Sequence, residues 1–183
     1  MAFNINSFIT NMKSDGFRPN LFEVTISLPT GVNTSEFRFK ATSTNIPGSS
    51  VGTAVLNYFG RQAKFAGNRV FDNWTVNVIM DETDFEVGGT RGMFERWSSL
   101  LNSHQGNVRN SAYVQPSSEG YFGEGSIQPF GKDGNPLKTV YKMTGCYPVD
   151  IGAMPLDWGS NDNIATFPVT FAFQWWTSTA TNN

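Results

Sequence analysis

Alternation of apolar and polar residues in short segments is the feature that most constrains this chain. Residues 164–176 place a row of large apolar side chains on one side of a predicted strand: Phe167, Val169, Phe171, Phe173 and Trp175. A period of two residues is typical of a β-strand. Residues 21–28 and 73–80 show the same period and predict two further strands. The sequence therefore predicts a mostly β fold.

Helical spacing occurs in two places. Met93, Trp97, Leu100 and Leu101 lie at i, i+4, i+7 and i+8, which predicts one helix inserted midway and beginning near Thr90. The apolar residues between Phe3 and Met12 predict a short N-terminal helix.

The length of 183 residues predicts a single domain spanning residues 1–183. Its Gly-, Ser- and Asn-rich stretch from about 104 to 136 is long for a loop in a compact domain. Two interpretations are open: the stretch contains short strands, or it is a surface insertion. Asp133-Gly134 predicts a hairpin turn ahead of a strand over residues 137–147.

Charge and composition exclude several functional classes. Charged residues form 15% of the chain and the net charge is −2, so a basic surface that binds nucleic-acid phosphates is not predicted. Apolar runs are too short for a membrane-spanning helix, and no leader peptide is visible. The single cysteine, Cys146, has no partner for a disulfide, which predicts synthesis and folding in a reducing cytoplasm.

Motifs that would indicate catalysis, metal binding or phosphate binding are weak in this sequence. One cysteine and one histidine, Cys146 and His104, cannot supply an ordinary zinc site, and nothing local supports them as a nucleophilic pair. Residues 125–132 have the wrong spacing for a phosphate-binding loop. We therefore expect no catalytic residues, no metal site and no cofactor.

An acidic patch precedes the predicted helix. It holds four carboxylates in six residues: Asp81, Glu82, Asp84 and Glu86. The simpler interpretation is a solvated loop before a helix N-terminus, where negative charge is favourable. The alternative is a cation-binding or channel-lining acidic surface.

Two features suggest contacts with other subunits. On the last predicted strand, Trp176 lies opposite the face that carries Trp175, so both faces are apolar. Either the helix covers the second face, or another subunit does. Arg61, Lys64 and Arg69 lie in a stretch without acidic residues, which is either a solvated face or a contact with acidic residues of a neighbour.

Several short motifs occur in a familiar order. They are Arg18-Pro-Asn-Leu-Phe-Glu-Val24, Lys40-Ala-Thr42 with Ile46-Pro47, Ala66-Gly-Asn-Arg69 with Phe71-Asp72, Trp74-Thr-Val76, Phe94-Glu-Arg-Trp97, Tyr147-Pro148, and Leu156-Asp-Trp158 with Ile164 and Thr166-Phe167. Together, over about residues 17–101 and 137–176, they make the chain resemble the major tail tube proteins of contractile-tailed bacteriophages.

The resemblance implies a β-sandwich or barrel-like fold and a structural role in the virion, without enzymatic activity. It implies six-fold rings that stack into a hollow tube inside a contractile sheath and conduct double-stranded DNA without specific binding. The implied partners are other copies of the chain, the sheath protein, the tape-measure protein and the baseplate hub. Synthesis in the host cytoplasm would precede assembly.

The same resemblance implies that a hairpin arm, about residues 42–69, contacts the neighbouring ring. Two departures from the family pattern are the long stretch over 104–136 and Pro168, which predicts a bulge or an edge in the last strand. The alternatives are a tube subunit of a bacterial contractile injection or secretion system and, from another class, a carbohydrate-binding β-sandwich module.

Overall fold

A computed structural model describes residues 5–12, 16–29, 38, 40–85, 88–109, 111, 114–117 and 120–181. Its helices are α1 (Ile5–Asn11), a 3₁₀ helix (Glu82–Phe85) and α2 (Thr90–Leu101). The strands of this described part are β1 (Phe22–Ser27), β2 (Ala41–Thr44), β3 (Ser49–Tyr58), β4 (Arg61–Phe71), β5 (Trp74–Ile79), β6 (Gly123–Pro129), β7 (Tyr141–Ile151), β8 (Thr166–Ala172) and β9 (Trp175–Ser178). The predicted mostly β fold, with a mid-chain helix and a short N-terminal helix, is confirmed.

Seven strands form one antiparallel sheet in the order β1-β6-β7-β8-β5-β2, with β9 also paired to β7. The first half of β7 lies between β6 and β9, whereas its second half pairs with β8. β7 therefore joins two parts of the sheet, β1-β6-β7-β9 and β7-β8-β5-β2. The remaining two strands, β3 and β4, form a separate hairpin.

Alternation places the core residues as predicted in the early strands. In β5, Trp74, Val76 and Val78 are buried, and in β1 the buried residues are Val24 and Ile26. One cluster of buried side chains includes residues from both parts of the sheet and from α2. The strands thus enclose a common hydrophobic core.

Helix α2 closes this core with its aromatic residues. Phe94 packs edge-to-face on Phe171, with ring centroids 5.8 Å apart, and Trp97 lies 6.0 Å from the same ring. The indole Nε1 of Trp97 donates a hydrogen bond of 2.9 Å to the carbonyl of Tyr121. The Met93 and Trp97 spacing seen in the sequence is therefore the buried stripe of α2.

The predicted strand over 164–176 is wrong in its second half. The strand is interrupted between β8 and β9, at residues 173–174, opposite Gly145 of β7. Gly145 adopts a φ of +69°, a left-handed conformation that strains residues with a Cβ. After the interruption the buried positions change from odd to even numbers, so the period of two cannot be extended through it.

Pro168 does not mark an edge, because β8 lies between β5 and β7. The Pro168 carbonyl accepts a hydrogen bond of 2.8 Å from Gly152 N, one residue beyond the end of β7. Pro168 has no N–H to donate, but it lies at the end of the pairing between β8 and β7, so little pairing is lost there. The irregular register lies in β7, between Pro148 and Asp150.

The stretch over 104–136 contributes a strand to the sheet. β6 pairs with β1 on one side and β7 on the other. A Cβ at Gly125 would clash with the Trp74 ring, and one at Gly123 would meet the Trp97 ring at 2.7 Å. Of the two interpretations left open, the structure contains the strand, and its glycines make room for core tryptophans.

The predicted turn at Asp133-Gly134 is confirmed, but the predicted bounds of the strand after it are wrong. The turn at Asp133-Gly134 is present, with Gly134 at a φ of +78°, but the following strand is β7 (Tyr141–Ile151) and not residues 137–147. Phe37 and Phe39 alternate with Arg38 and Lys40 in the sequence, which predicts a hairpin partner for the first strand, but both phenylalanines lie outside the described residues. No helix in the described part of the chain has the length and apolar character needed to cross a bilayer.

Candidate assembly interface

The β3–β4 hairpin, residues 49–71, is exposed on both faces. Within it only the end residues Ser49 and Phe71 are even partly buried. Large apolar side chains are nevertheless frequent on its surface: Val51, Val55, Leu56, Tyr58, Phe59, Phe65 and Val70. Two-stranded hairpins are marginally stable in water without a packing partner. This surface is therefore suited to being covered by another protein molecule.

The three cations predicted as interface residues lie on this hairpin, but not on one face. The register pairs Lys64 with Val55 and Arg69 with Val51, so these two cations share a face. Arg61 pairs with Tyr58 and lies on the other face.

A β-bulge causes the grouping of Lys64 with Arg69. The register shifts between Val51 and Thr53, where Gly52 lies against Gly67. Residues five apart on a regular strand point to opposite faces, and the extra residue at the bulge reverses this. Spacing on a regular strand would place Lys64 and Arg69 on opposite faces, so the shared face depends on the bulge.

The acidic patch is divided by the structure. Asp81 and Glu82 are exposed, and Glu86 lies outside the described residues. Asp84 is only 3% exposed, so its assignment to a lumen or acidic surface is wrong. Asp84 lies in the 3₁₀ helix, which turns its carboxylate toward the start of α2, and Lys40 reaches the same carboxylate from 44 residues away in sequence.

Hydrogen bonds account for the burial of Asp84. Its Oδ1 accepts bonds from Lys40 Nζ at 2.6 Å, Thr90 Oγ1 at 2.7 Å and Thr90 N at 3.0 Å, and its Oδ2 accepts one from Asp81 N at 2.8 Å. Burial alone would raise the pKa of Asp84, but these hydrogen bonds outweigh it and lower the pKa to about 2. Asp84 is therefore a structural carboxylate.

The two tryptophans of β9 have opposite environments. Trp175 is 48% exposed, whereas Trp176 packs against the core. The Trp176 ring lies 6.3 Å from Phe71, at the base of the β3–β4 hairpin, and 5.9 Å from Tyr141. The sequence predicts both tryptophans as interface residues. For Trp175, which is exposed, this stays a prediction. For Trp176 it is wrong, because the strand is interrupted just before both residues and the Trp176 ring turns toward the core.

An open groove of about 740 Å³ lies beside the acidic residues. It is bounded by the end of β5, the 3₁₀ helix and residues 163–165. Phe85 and Ile164 line it and are largely exposed. Asp81 and Glu82 belong to the same groove. The groove therefore combines apolar walls with negative charge, which nothing in the sequence pattern indicated.

The single cysteine, Cys146, lies in the hydrophobic core. Cys146 is buried, and burial raises the pKa of its thiol to about 12, so it is a protonated packing residue at neutral pH. Its Sγ donates to the Met143 carbonyl at 3.4 Å. Within the residues that the structure describes, no three His, Cys, Asp or Glu side chains are grouped as metal ligands would be.

These features define a structural subunit with a surface built for association. The sequence matches the family model of the phage tail tube protein over residues 17–179, and the chain belongs to that family. It is 33% identical over 162 residues to tail tube protein gp19 of Enterobacteria phage T4, covering 88% of this chain and 91% of that protein. A tail tube protein of Serratia phage KSP90 is 25% identical over 169 residues, with 89% and 90% coverage.

Solved structures show the same fold at lower identity. A chain of the sheath-tube complex of the PVC extracellular contractile injection system superposes with a TM-score of 0.63 at 14% identity, covering 97% of this chain and 98% of that one. A chain of the anti-feeding prophage baseplate gives 0.64 at 13% identity, covering 90% and 96%. The mostly β fold of this chain is therefore shared with chains from these contractile assemblies.

Proposed function

We propose that this chain is the subunit of the inner tail tube of a contractile-tailed phage. Six copies form a ring, and rings stack into a hollow tube inside a contractile sheath. The observation that carries the proposal is the β3–β4 hairpin, whose two faces both expose large apolar side chains in a member of the tail tube family. Stacking covers these faces, because the hairpin of one ring lies against the next ring.

The tube's work is mechanical, with no bond made or broken. A passage for DNA functions best when its wall does not bind phosphate, and carboxylates repel phosphate at short range. The chain's net charge of −2 agrees with a wall that does not bind phosphate. Asp81 and Glu82 are exposed, but they line the groove beside the 3₁₀ helix, and we assign them to a contact between copies and not to the wall. Double-stranded DNA would then slide through without specific contacts.

The partners follow from this place in the tail. The sheath protein would surround the tube, the baseplate hub would nucleate it, and a tape-measure protein would occupy its lumen during assembly. The subunit would be made in the host cytoplasm and end in the virion. Trp175, Arg61, Lys64 and Arg69, all exposed in the isolated chain, would contact neighbouring subunits.

A phage tail is favoured over an injection machine by sequence. Identity is 33% to the T4 tail tube protein but 13–15% to chains from the PVC and anti-feeding prophage assemblies. The fold similarity alone does not separate the two machines, because both share it.

Negative-stain electron microscopy over a concentration series tests the proposal. We expect six-fold rings or hollow tubes from the purified chain, and we expect the sheath protein to decorate them. The matched control replaces residues 50–70 by a short turn, which removes the hairpin and leaves the larger sheet intact. A wild-type chain that stays monomeric at every concentration, with or without baseplate, would contradict the proposal.

A further inference from the structure

The tip of the β3–β4 hairpin carries an aromatic residue that the turn itself does not favour. Phe59 and Gly60 connect the paired residues Tyr58 and Arg61, with φ values of +44° and +77°. A two-residue turn with both φ values positive favours Asn or Gly at its first position, and a bulky residue there is an outlier. Such local strain is most often found where a residue has a function.

Phe59 is also displayed to solvent. It is 89% exposed, and its ring contacts only the edge of Tyr58 among the aromatic residues, with centroids 4.5 Å apart in the described part of the chain. Folding of the isolated chain therefore gains little from this phenylalanine. Aromatic residues that are exposed before association and buried after it are typical anchors of protein interfaces.

The surroundings of the tip combine apolar area with positive charge. Leu56, Tyr58, Arg61 and Phe65 lie on one face of the hairpin and are exposed. The whole hairpin, residues 49–71, contains no Asp or Glu. A receiving surface should therefore be an apolar recess with exposed carboxylates beside it.

The groove beside the 3₁₀ helix has this composition. Phe85 and Ile164 supply apolar walls, and Asp81 and Glu82 supply exposed carboxylates. The lysine that lines it, Lys40, already forms an ion pair with Asp84 at 2.6 Å. Its positive charge is thus compensated within the chain.

Other grooves fit the tip less well. One is lined by Arg18 and Lys132 with a single carboxylate, Asp133, so its cations outnumber its carboxylates. Another, beside Trp175, offers a single carboxylate, Glu124, and Arg109 lies over the Tyr121 ring that lines it. Of these three grooves, the one beside the 3₁₀ helix offers Arg61 the most carboxylates, Asp81 and Glu82.

We propose that Phe59 of one copy inserts into the groove formed by Ile79, Phe85 and Ile164 of a second copy, with Arg61 facing Asp81 and Glu82. The inference rests on the proposed function, since it specifies which two surfaces of the chain meet when copies assemble. Tip and groove are different surfaces of the same chain, so the contact is head-to-tail and propagates from copy to copy.

Photo-crosslinking tests this contact directly. Benzoylphenylalanine is placed at position 59, assembled chains are irradiated, and the crosslinked peptides are identified by mass spectrometry. We expect intermolecular crosslinks to residues 79–85 and 163–165. The control carries the same probe at the exposed Val108 and should not label the groove. Crosslinks from position 59 to another surface, or no intermolecular crosslink, would overturn the inference.

Two sets of variants measure the contribution of the contact. Phe59→Asn suits the turn, so the monomer should melt at or above the wild-type temperature while the critical concentration for assembly rises at least about tenfold. Arg61→Glu should weaken assembly, and Asp81→Lys with Glu82→Lys in the same chain should restore it.

The controls separate the two proposals. If wild-type chains form tubes and Phe59→Asn assembles at the same concentration, the tip-to-groove contact is wrong and the tube function stands. If wild-type chains form no tubes, the proposed function fails, and the contact between copies fails with it.

Discussion

Lys40 Nζ lies 2.6 Å from Asp84 Oδ1, joining the residue before β2 to the 3₁₀ helix that precedes α2. The two side chains are 44 positions apart in sequence, and that of Asp84 is almost completely buried. Because Asp84 also accepts two hydrogen bonds from Thr90, this carboxylate connects the edge of the sheet to the first turn of the helix.

Asp84 should make stability depend on pH in the acid range. Its folded-state pKa of about 2 lies below the roughly 3.9 of an unfolded aspartate, so its stabilisation is complete above about pH 4–5 and is lost as pH falls toward 2. Asp84→Asn should cost about 2–4 kcal/mol near pH 7, since Lys40 loses its partner. Urea denaturation from pH 2 to 7 measures the free energy of unfolding of the wild type and of Asp84→Asn.

The free energies of unfolding of wild type and Asp84→Asn should converge as pH approaches 2. Glu82→Gln is the control, because the Glu82 side chain is exposed, and it should change stability by less than about 0.5 kcal/mol. A constant difference between wild type and Asp84→Asn across this range would contradict the assigned role.

Substitution by aspartate should have opposite effects at the two tryptophans of β9: it should reduce assembly at Trp175 and stability at Trp176. Trp175→Asp should leave the melting temperature nearly unchanged and reduce assembly, because Trp175 is exposed in the isolated chain. Trp176→Asp should cost about 3 kcal/mol or more, because this ring packs on the core beside Phe71 and Tyr141. Thermal melts and electron micrographs of both variants check this. Normal tubes from Trp175→Asp would remove Trp175 from the interface.

Reversal of the three hairpin charges should weaken ring stacking in a salt-dependent way. The triple replacement of Arg61, Lys64 and Arg69 by Glu should raise the critical concentration for assembly most at low ionic strength, because exposed charges are screened by salt. Light scattering from about 0.05 to 1 M salt follows the effect. The matched control replaces the same residues by Gln. Indistinguishable assembly of the Glu and Gln variants at low salt would argue against charge complementarity.

Two glycines should show opposite effects of an added methyl group. Gly125→Ala should destabilise the fold by about 1–3 kcal/mol, because its Cβ would overlap the buried Trp74 ring. Gly92→Ala in α2 should stabilise by about 0.5–1 kcal/mol, since nothing lies within 4 Å of a Cβ there. Denaturant titration gives both values. A neutral Gly125→Ala would mean that β6 does not pack under Trp74 as described.

Several elements were predictable because their signals are local. The buried alternation of β1 and β5 and the apolar stripe of α2 are readable from residues a few positions apart. β6 was not predicted as a definite strand, because its glycines lower strand propensity and are explained only by the tryptophans they pack beneath. Among the candidate site residues, the basic residues of the hairpin are exposed and their place in an interface stays a prediction, whereas Asp84 and Trp176 are not exposed and their assignment is wrong.

The sequence by itself determined the mostly β character of the chain, its central helix and, through ordered motifs, its resemblance to tail tube proteins. Only the tertiary structure decided which way Trp175 and Trp176 face, which cations share a side of the hairpin, and that Asp84 is internal. The physical reason is the same in each case. The interruption at residues 173–174, the bulge at Gly67 and the hydrogen bond between Lys40 and Asp84 all depend on neighbours distant in sequence. Local periodicity carries no information about such neighbours.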